Sequence, residues 1–402
     1  MDGFPLALAT AGAYLNQVSI SFADYLRLYQ ESWAKLQKTS PKLGSYKDQT
    51  IYSTWQISFD YVEQQNPLSA NLLRLWAYFD NQDLWFELLR HSNSEDPEWI
   101  QQLTLDELSF HDTMRVLGNH GLVEVATSSE ECIESKGYSI HSCVHSWTVH
   151  SLNQKWDSSL ARLAVKFVGA HVPGKKDIRP WLIQRRLLQH VARCSYIVLN
   201  GLITDDSMAW AFHQMGILYA DQYKLVEAEQ MYQRALLGLE KAWGPEHTST
   251  LDTVNSLGIL YADQDRLVEA EQMYQRALQG YEKAWGPEYT STLNTVNNLG
   301  ILYADQGKLV EAEQMCRRAL QGFEKVWGPD HTSTLNTVSK LGLLYKKQDK
   351  LVEAEQMCRR ALQGYEKVVG PDHPKSRILR DRLSCFGFRR IKEQQTTQKD
   401  QI

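Results

Sequence analysis

No stretch of this 402-residue chain approaches the roughly 20 consecutive apolar residues that a membrane-spanning helix needs. The apolar run Phe4 to Leu15 imitates a signal-peptide core. Asp2 precedes it where a cation belongs, however, Pro5 interrupts it, and no small-residue cleavage site follows. The six cysteines include no CxxC pair, so a disulfide framework is not expected and a reducing, cytoplasmic setting is. Charge of one sign is lacking as well: a net charge of −5 offers no basic field to gather nucleic acid or an anionic membrane. No GxxxxGK[ST] loop occurs. The nearest string, Val172-Pro173-Gly174-Lys175-Lys176, lacks the first glycine and the hydroxyl that would hold magnesium. No Ser-His-Asp set or carboxylate pair stands in a recognisable context, so no catalytic residue is assigned and no enzyme is expected.

What the chain does have is a repeat. Met215-Gly216-Ile217-Leu218-Tyr219 recurs at Leu257 to Tyr261, Leu299 to Tyr303 and Leu341 to Tyr345, with a constant step of 42 residues. A fixed period in this range marks a solenoid, whose units bury their apolar faces by stacking on their neighbours. Apolar residues make up 43 % and charged residues 23 %, ordinary for a globular chain of two or three domains at ~150 residues each.

Each unit reads as a helical hairpin. In the third copy Leu299, Gly300 and Tyr303 share one face of a first helix, A. After the Asp305-Gln306-Gly307 turn, Leu309, Ala312, Cys316, Ala319 and Leu320 form one stripe of a second helix, B. Gly300, Ala312 and Ala319 are small where two backbones must approach closely. Cys316 and Cys358 replace Tyr232 and Tyr274 of earlier copies and read as small apolar core fillers. Gly328-Pro329 is expected to end helix B, and Thr332-Ser333-Thr334 to offer N-cap hydroxyls to the next helix A.

The pattern Leu-Gly-x-x-Tyr, eight residues, Ala, then Cys or Tyr, then Ala resembles the tetratricopeptide repeat. The 42-residue form, with Lys-x-Trp-Gly-Pro at its end and Asn297-Asn298-Leu299 in helix A, is similar to the long repeats of kinesin light chains. The excess over the common ~34-residue unit is about two helical turns, so longer helices are expected. Val369 departs from the tryptophan of Trp243, Trp285 and Trp327. The resemblance implies an all-α superhelix of hairpins whose A helices line a concave, partner-binding groove, where an asparagine amide commonly clamps a peptide backbone. Asn255 and Asn297 match that position, and His213 and Ser339 depart from it. Asp252, Asn294, Asp263, Asp305, Lys340, Lys346 and Lys347 are neighbouring candidates, acidic in the middle copies and basic in the fourth. An asparagine side chain satisfies both an N–H and a C=O, so it suits an extended peptide of any sequence. A solvated polar helix face stays open as the alternative, as does self-association.

The first half does not repeat. Helices are expected at Phe22 to Gln37, Thr50 to Gln64, Ser69 to Phe79 and Leu103 to Asn119, then strands at Gly121 to Ala126 and Gly137 to His141. Helices followed by such a hairpin read as a winged helix. Gly3-Phe4-Pro5-Leu6-Ala7-Leu8 and Tyr138-Ser139-Ile140-His141-Ser142-Cys143-Val144-His145 resemble the GLPLAL-type and Met-His-Asp motifs of NB-ARC signalling ATPases, as in fungal NLR-like proteins ending in tetratricopeptide repeats. Phe4, Ile140 and Ser142 depart from the family's leucine, methionine and aspartate. The resemblance implies that Pro5 would pack near an adenine and His141 would approach a phosphate if a nucleotide were bound. The family's P-loop would precede Gly3, which implies a truncated or separately encoded ATPase that cannot hydrolyse ATP alone; no cofactor is assigned.

On a strand, His141, Cys143 and His145 would share one face, yet no second cluster supplies zinc-ligand partners and no metal is assigned. The wing would carry Glu124, Glu130, Glu131 and Glu134 against Lys136, which repels DNA. Two linker helices are expected around Val172-Pro173-Gly174, with Trp156, Leu160, Leu163, Phe167 and Val168 facing Leu182, Leu187, Leu188 and Val191. The expected organisation is 1–47, an NB-ARC remnant; 48–153, a winged-helix-like domain; 154–203, a helical linker. Four repeats follow at 205–246, 247–288, 289–330 and 331–372, then a capping helix at 374–393 and a disordered tail at 394–402. The function expected is a non-enzymatic scaffold that binds a protein or peptide. The alternatives are a nucleotide-gated switch lacking its ATPase core and a kinesin light chain-like cargo adaptor. The adaptor would need a heptad coiled coil, and none precedes Asp205.

Overall fold

A computed structural model of the chain describes the backbone of residues 5–28, 46–126, 134–174 and 177–384. The chain divides into two compact units, Met1–Ala235 and Leu236–Ile402, and the boundary falls inside the helix Leu225–Trp243. The architecture is mainly α, as expected: helices and one small hairpin come first, then tandem helical hairpins.

In the first unit, Trp55, Trp76, Trp85 and Trp147 are fully buried, and the Trp55 and Trp147 rings lie 6.1 Å apart. The expected linker helices are present as Ser158–Ala170 and Pro180–Leu199, with Leu163, Phe167, Val168, Leu187 and Val191 buried, whereas Trp156 is exposed beside Tyr78. Gly169 permits Ser158–Ala170 to meet Ala209–Asp221 closely, since a Cβ there would stand 2.6 Å from that of Ala211. Arg186 ties Pro180–Leu199 to the hairpin region. It pairs with both Asp83 oxygens at 2.8 and 2.9 Å and lies 4.1 Å over the Trp85 ring.

Three expectations for this unit need correction. The wing shrinks to Glu124–Val125 (β1) paired antiparallel with Tyr138–Ser139 (β2). Gly121 takes a left-handed φ of +65° and Leu122 bonds back to Leu117, so the start of the expected strand instead closes the preceding helix. The helix expected at Leu103 to Asn119 is two, Glu98–Leu103 and Glu107–Asn119, because Asp106 caps the second by accepting from Ser109 N at 2.7 Å. His141, Cys143 and His145 do not share a strand face. His141 is the N-cap of the helix Ser142–Trp147 and accepts from Cys143 N. Gly3, Phe4, Glu130, Glu131, residues 29–37 of the first expected helix and the tail 394–402 lie outside the described residues.

The second unit carries three complete hairpins. Their A helices are Thr248–Asp263, Thr290–Asp305 and Thr332–Lys347, of 16 residues each. Their B helices are Leu267–Trp285, Leu309–Trp327 and Leu351–Val369, of 19 residues each, so both helices are long, as the 42-residue period requires. Within each hairpin, glycine faces bulk twice. A Cβ on Gly258 would stand 2.7 Å from the Tyr274 ring and one on Gly300 2.6 Å from Cys316 Sγ. In the opposite sense, a Cβ on Gly280 would meet Leu251 at 2.5 Å, and Gly322 and Gly364 meet Leu293 and Leu335 alike. Cys316 and Cys358 are buried free thiols, as core filling demands.

Gly286, Gly328 and Gly370 end the B helices at φ near +90°, where a side chain would be strained. The N-caps differ from expectation. His247 and His331 cap the next A helices through ring nitrogens that accept from Ser249 N and Ser333 N. The hydroxyls of Thr250, Thr292 and Thr334 point back instead, each donating to the glycine carbonyl six residues earlier at 2.9 Å. Residues 374–384 are helical and repeat this geometry, with His373 capping and Ser376 bonding Gly370 O.

Replacing Gly300 by alanine adds up to ~1 kcal/mol of helix propensity but forces the Cys316 contact. Overpacking of that kind costs about 1–3 kcal/mol. Gly300→Ala is therefore expected to lower stability by about 1–2 kcal/mol in urea unfolding. Adding Cys316→Ala should return part of that loss, a coupling that a double-mutant cycle reads directly.

Candidate partner-binding face

The three A helices of the second unit are near copies, and their differences fall in one place. They differ at Asp252/Asn294/Asn336, Asn255/Asn297/Ser339, Ser256/Asn298/Lys340, Ile259/Ile301/Leu343, Ala262/Ala304/Lys346 and Asp263/Asp305/Lys347. Offsets of 3, 4, 7, 10 and 11 from the first position trace one face of an α-helix. The positions between, such as Leu251, Thr253, Val254, Leu257 and Leu260, are identical in all three copies and buried. Along the variable face Ile259 is 42 % and Leu343 37 % exposed, so an apolar line runs between polar flanks. The sequence reading missed this line because Ile259 and Leu343 sit inside the apolar string around each glycine. Helical phase alone, counted from the buried Leu257 and Leu341, would have turned them outward.

The candidate asparagines have other partners. Thr295 Oγ1 lies 3.0 Å from Asn255 Oδ1 and Thr337 Oγ1 3.3 Å from Asn297 Oδ1, each contact joining one A helix to the next. Asn297 is 6 % exposed. Each threonine hydroxyl also lies within reach of the carbonyl four residues back, at 3.0 Å for Ser291 O and 3.1 Å for Ser333 O, so both amides are tied into the stack. Ser339 takes the same place in the last copy and accepts from Arg382 at 3.3 Å.

The charged candidates divide similarly. Lys347 reaches Asp305 at 2.9 Å and Ala304 O at 3.2 Å, so it bridges neighbouring A helices. Asp252 accepts from the Tyr281 hydroxyl, and desolvation outweighs that bond to raise its carboxyl above the usual range. Desolvation likewise raises Asp263. Lys340 is half-buried, and desolvation lowers its ammonium. Asn294 and Lys346 are exposed. In the first unit His213 packs 5.4 Å from the Tyr232 ring, and burial drops its imidazole to about 4.

Rows of side chains on the B helices lock the stack. Lys308 meets Glu271 and Lys350 meets Glu313, both at 3.0 Å. Arg276–Glu240, Arg318–Glu282 and Arg360–Glu324 repeat one further pair. Desolvation opposes ionisation of Glu313, yet hydrogen bonds from Lys350, Gln348 and Arg317 hold its pKa at about 2.

The nucleotide candidates lie elsewhere. Pro5 opens the helix Pro5–Val18, and its side chain is outside the described part. His141 is exposed and shares a shallow cleft with Asn81, Glu124 and the Arg186-paired Asp83, so Glu124 would repel a phosphate there. His145 is half-buried, its Nε2 donating toward the Trp76 and Phe79 carbonyls. Among the described residues no group of three His, Cys, Asp or Glu is placed to hold a metal. Among them, too, no helix is long and apolar enough to cross a membrane.

Residues 207–283 and 291–367 match the family model for the tetratricopeptide repeat, and these hairpins are tetratricopeptide repeats. A nucleotide-binding leucine-rich repeat (NLR)-like protein of Hyaloscypha variabilis is 26 % identical over 270 residues. The match covers 63 % of this chain and 25 % of the relative, so the chain spans about a quarter of that protein's length. Among solved structures, nearly identical kinesin light chain-type repeats from Podosopora anserina align at 17 % identity and TM-score 0.43, covering 52 % of this chain and 96 % of theirs. A Signal Transduction ATPase with Numerous Domains carrying a tetratricopeptide repeat sensor, from Pyrococcus horikoshii, aligns at 12 % identity and TM-score 0.44. That alignment covers 90 % of this chain and 57 % of the other.

The burial of His213 carries a pH signature. Its folded-state value of about 4 lies below the ~6.5 of an unfolded histidine, so the native state favours the neutral ring. The resulting stability is complete above pH 6.5 and is lost as pH falls toward 4, by up to about 3 kcal/mol. His91, His120, His145 and His190 are lowered in the same direction, mainly by desolvation. Urea midpoints between pH 7.5 and 5 should fall, and His213→Gln should flatten that slope.

Proposed function

We propose that the variable A-helix face of residues 236–402 is a docking surface for a protein or peptide, in a non-enzymatic scaffold of NLR-like signalling type. One observation carries this reading: three nearly identical helices keep every buried apolar position and differ along one outward face. Stacking alone explains the constancy of the buried apolar residues. It leaves the outward face free to differ from copy to copy, and that freedom is what a binding surface uses. That face has the anatomy of a peptide site, an apolar line with polar groups on both sides. The tetratricopeptide fold is typically an interaction scaffold, and the NLR-like relative supports a signalling setting for it.

In this reading Asn255 contacts the peptide backbone, Asn297 stiffens the groove wall from beneath, and Asp252, Asn294 and Lys340 supply side-chain contacts. Lys347 and Ser339 act through the shape of the stack they hold together. His213 occupies the matching place in the first repeat. Residues 48–153 and 154–203 serve as a winged-helix-like domain and its helical linker.

Peptides selected from a random phage-displayed library on the immobilised full-length protein test the assignment. Ile259→Glu with Leu343→Glu should weaken the selected peptides at least tenfold, since burying one such side chain is worth about 1.5–3 kcal/mol. Val310→Glu, at a B-helix position 67 % exposed, should leave them unchanged. Circular dichroism should show equal helicity in all variants. Equal binding to wild type and the double variant would sink the assignment.

A further inference from the structure

The paired charges of the second unit follow the 42-residue period, and that regularity exposes the charges that break it. Asp305 is answered by Lys347, one repeat further on. Asp263 stands at the same place one repeat earlier, where the position 42 residues on is Asp305, another acid. Among the described residues no cation pairs with Asp263, which lies at the C-terminal end of its helix. There the helix dipole disfavours a carboxylate. The residue is exposed, and partial desolvation raises its carboxyl.

The opposite imbalance lies at the other end of the face. Lys340 is half-buried beside Ser339, and Arg382 of the helical segment 374–384 reaches the Ser339 hydroxyl at 3.3 Å. Among the described residues neither cation meets a carboxylate. Arg377 and Arg380 of the same segment do, pairing with Asp372 and Glu366. Lys375 adds a third positive charge that Lys340 feels. A half-buried cation without a counter-charge is costly to keep, and a ligand anion removes that cost.

Resting on the docking reading above, we propose that the occupant is an extended peptide of two-sign character. A basic side chain meets Asp263, an apolar stretch lies along Ile259 and Leu343, and an acidic side chain sits between Lys340 and Arg382. Adjacent packed helices stand roughly 8–10 Å apart, so two repeats span about 20 Å, and the seven positions between Lys340 and Lys347, the equivalent of Asp263, add about 10 Å along the helix, about 23 Å in all. An extended chain advances about 3.3 Å per residue, which sets the basic and acidic groups about seven residues apart.

Four synthetic 12-residue peptides, acetylated and amidated so that termini carry no charge, test this on the full-length protein by fluorescence anisotropy. All share a Leu/Ile centre. Two carry a Lys pair and a Glu pair about seven residues apart, in the two chain directions; the controls carry Lys pairs only or Glu pairs only. One two-sign peptide should bind at least tenfold more tightly than either control. Lys340→Met with Arg382→Met should reduce it to the level of the Lys-only peptide, and Asp263→Asn to that of the Glu-only peptide. Equal binding of all four, unmoved by these substitutions yet abolished by Ile259→Glu, overturns the two-sign occupant and leaves the docking face standing. If no peptide binds, including those selected by phage display, both readings fall.

Discussion

Everything in the repeat array depends on how closely its helices can approach. Gly258 against Tyr274 and Gly300 against Cys316 bring each A helix onto its own B helix, and Gly280 and Gly322 return the arrangement from the other side. Two such contacts per hairpin fix both the distance between the helices and their sliding along one another. A packed interior tolerates little change of volume, so an added methyl group at these points has nowhere to go. The exchange of Tyr274 for Cys316 and Cys358 shows the limit of that rule. The bulky ring is lost in the later copies, but the contact at the glycine itself stays filled.

Once the helices are held at that spacing, polar side chains at fixed offsets find each other automatically. The Lys308–Glu271 and Lys350–Glu313 pairs are the same bond repeated, as are Thr295–Asn255 and Thr337–Asn297. Single pairs of this exposure contribute little on their own. Their value is in register: each one matches only when its repeat is seated correctly on its neighbour. At the end of the array the period breaks, and the segment 374–384 substitutes its own residues. Arg380 takes Glu366, and Arg377 takes Asp372. Residues 374–384 are held to the last hairpin by this local chemistry.

The hairpins, their glycines and the buried thiols were legible in the sequence because the period of 42 and the helical phase of Gly300, Ala312 and Cys316 point the same way. The caps were not. Propensity favours Thr332 or Ser333 as an N-cap, whereas the backbone turn after Gly328 puts His331 there and sends the Thr334 hydroxyl back to the glycine carbonyl. The asparagines were half legible. Their position on helix A followed from spacing, but nothing local announced that Asn297 would be covered by Thr337 from the next repeat. In the first unit the alternating string after Gly121 looked like a strand. Its first residues went instead to closing a helix, a competition that local pattern cannot decide.

The division between constant and variable positions also explains why so regular a scaffold can carry a specific surface. A solenoid repeat contacts its neighbours and little else, so buried apolar positions must satisfy the same two interfaces in every copy. Leu257, Leu299 and Leu341 have no freedom to differ. Outward positions face no such demand, and a change from Ser256 to Asn298 to Lys340 leaves the packing beneath it untouched. Lys340 nevertheless accepts desolvation without an opposite charge among the described residues, and exposed Asp263 stands unpaired at a helix C-terminus with the reverse sign. Stability gives no reason to retain either, because a neutral side chain at both places would serve the fold at least as well. A ligand of opposite charge would supply what the stack does not, which is why these two positions fit the proposed docking surface better than a merely solvated helix face.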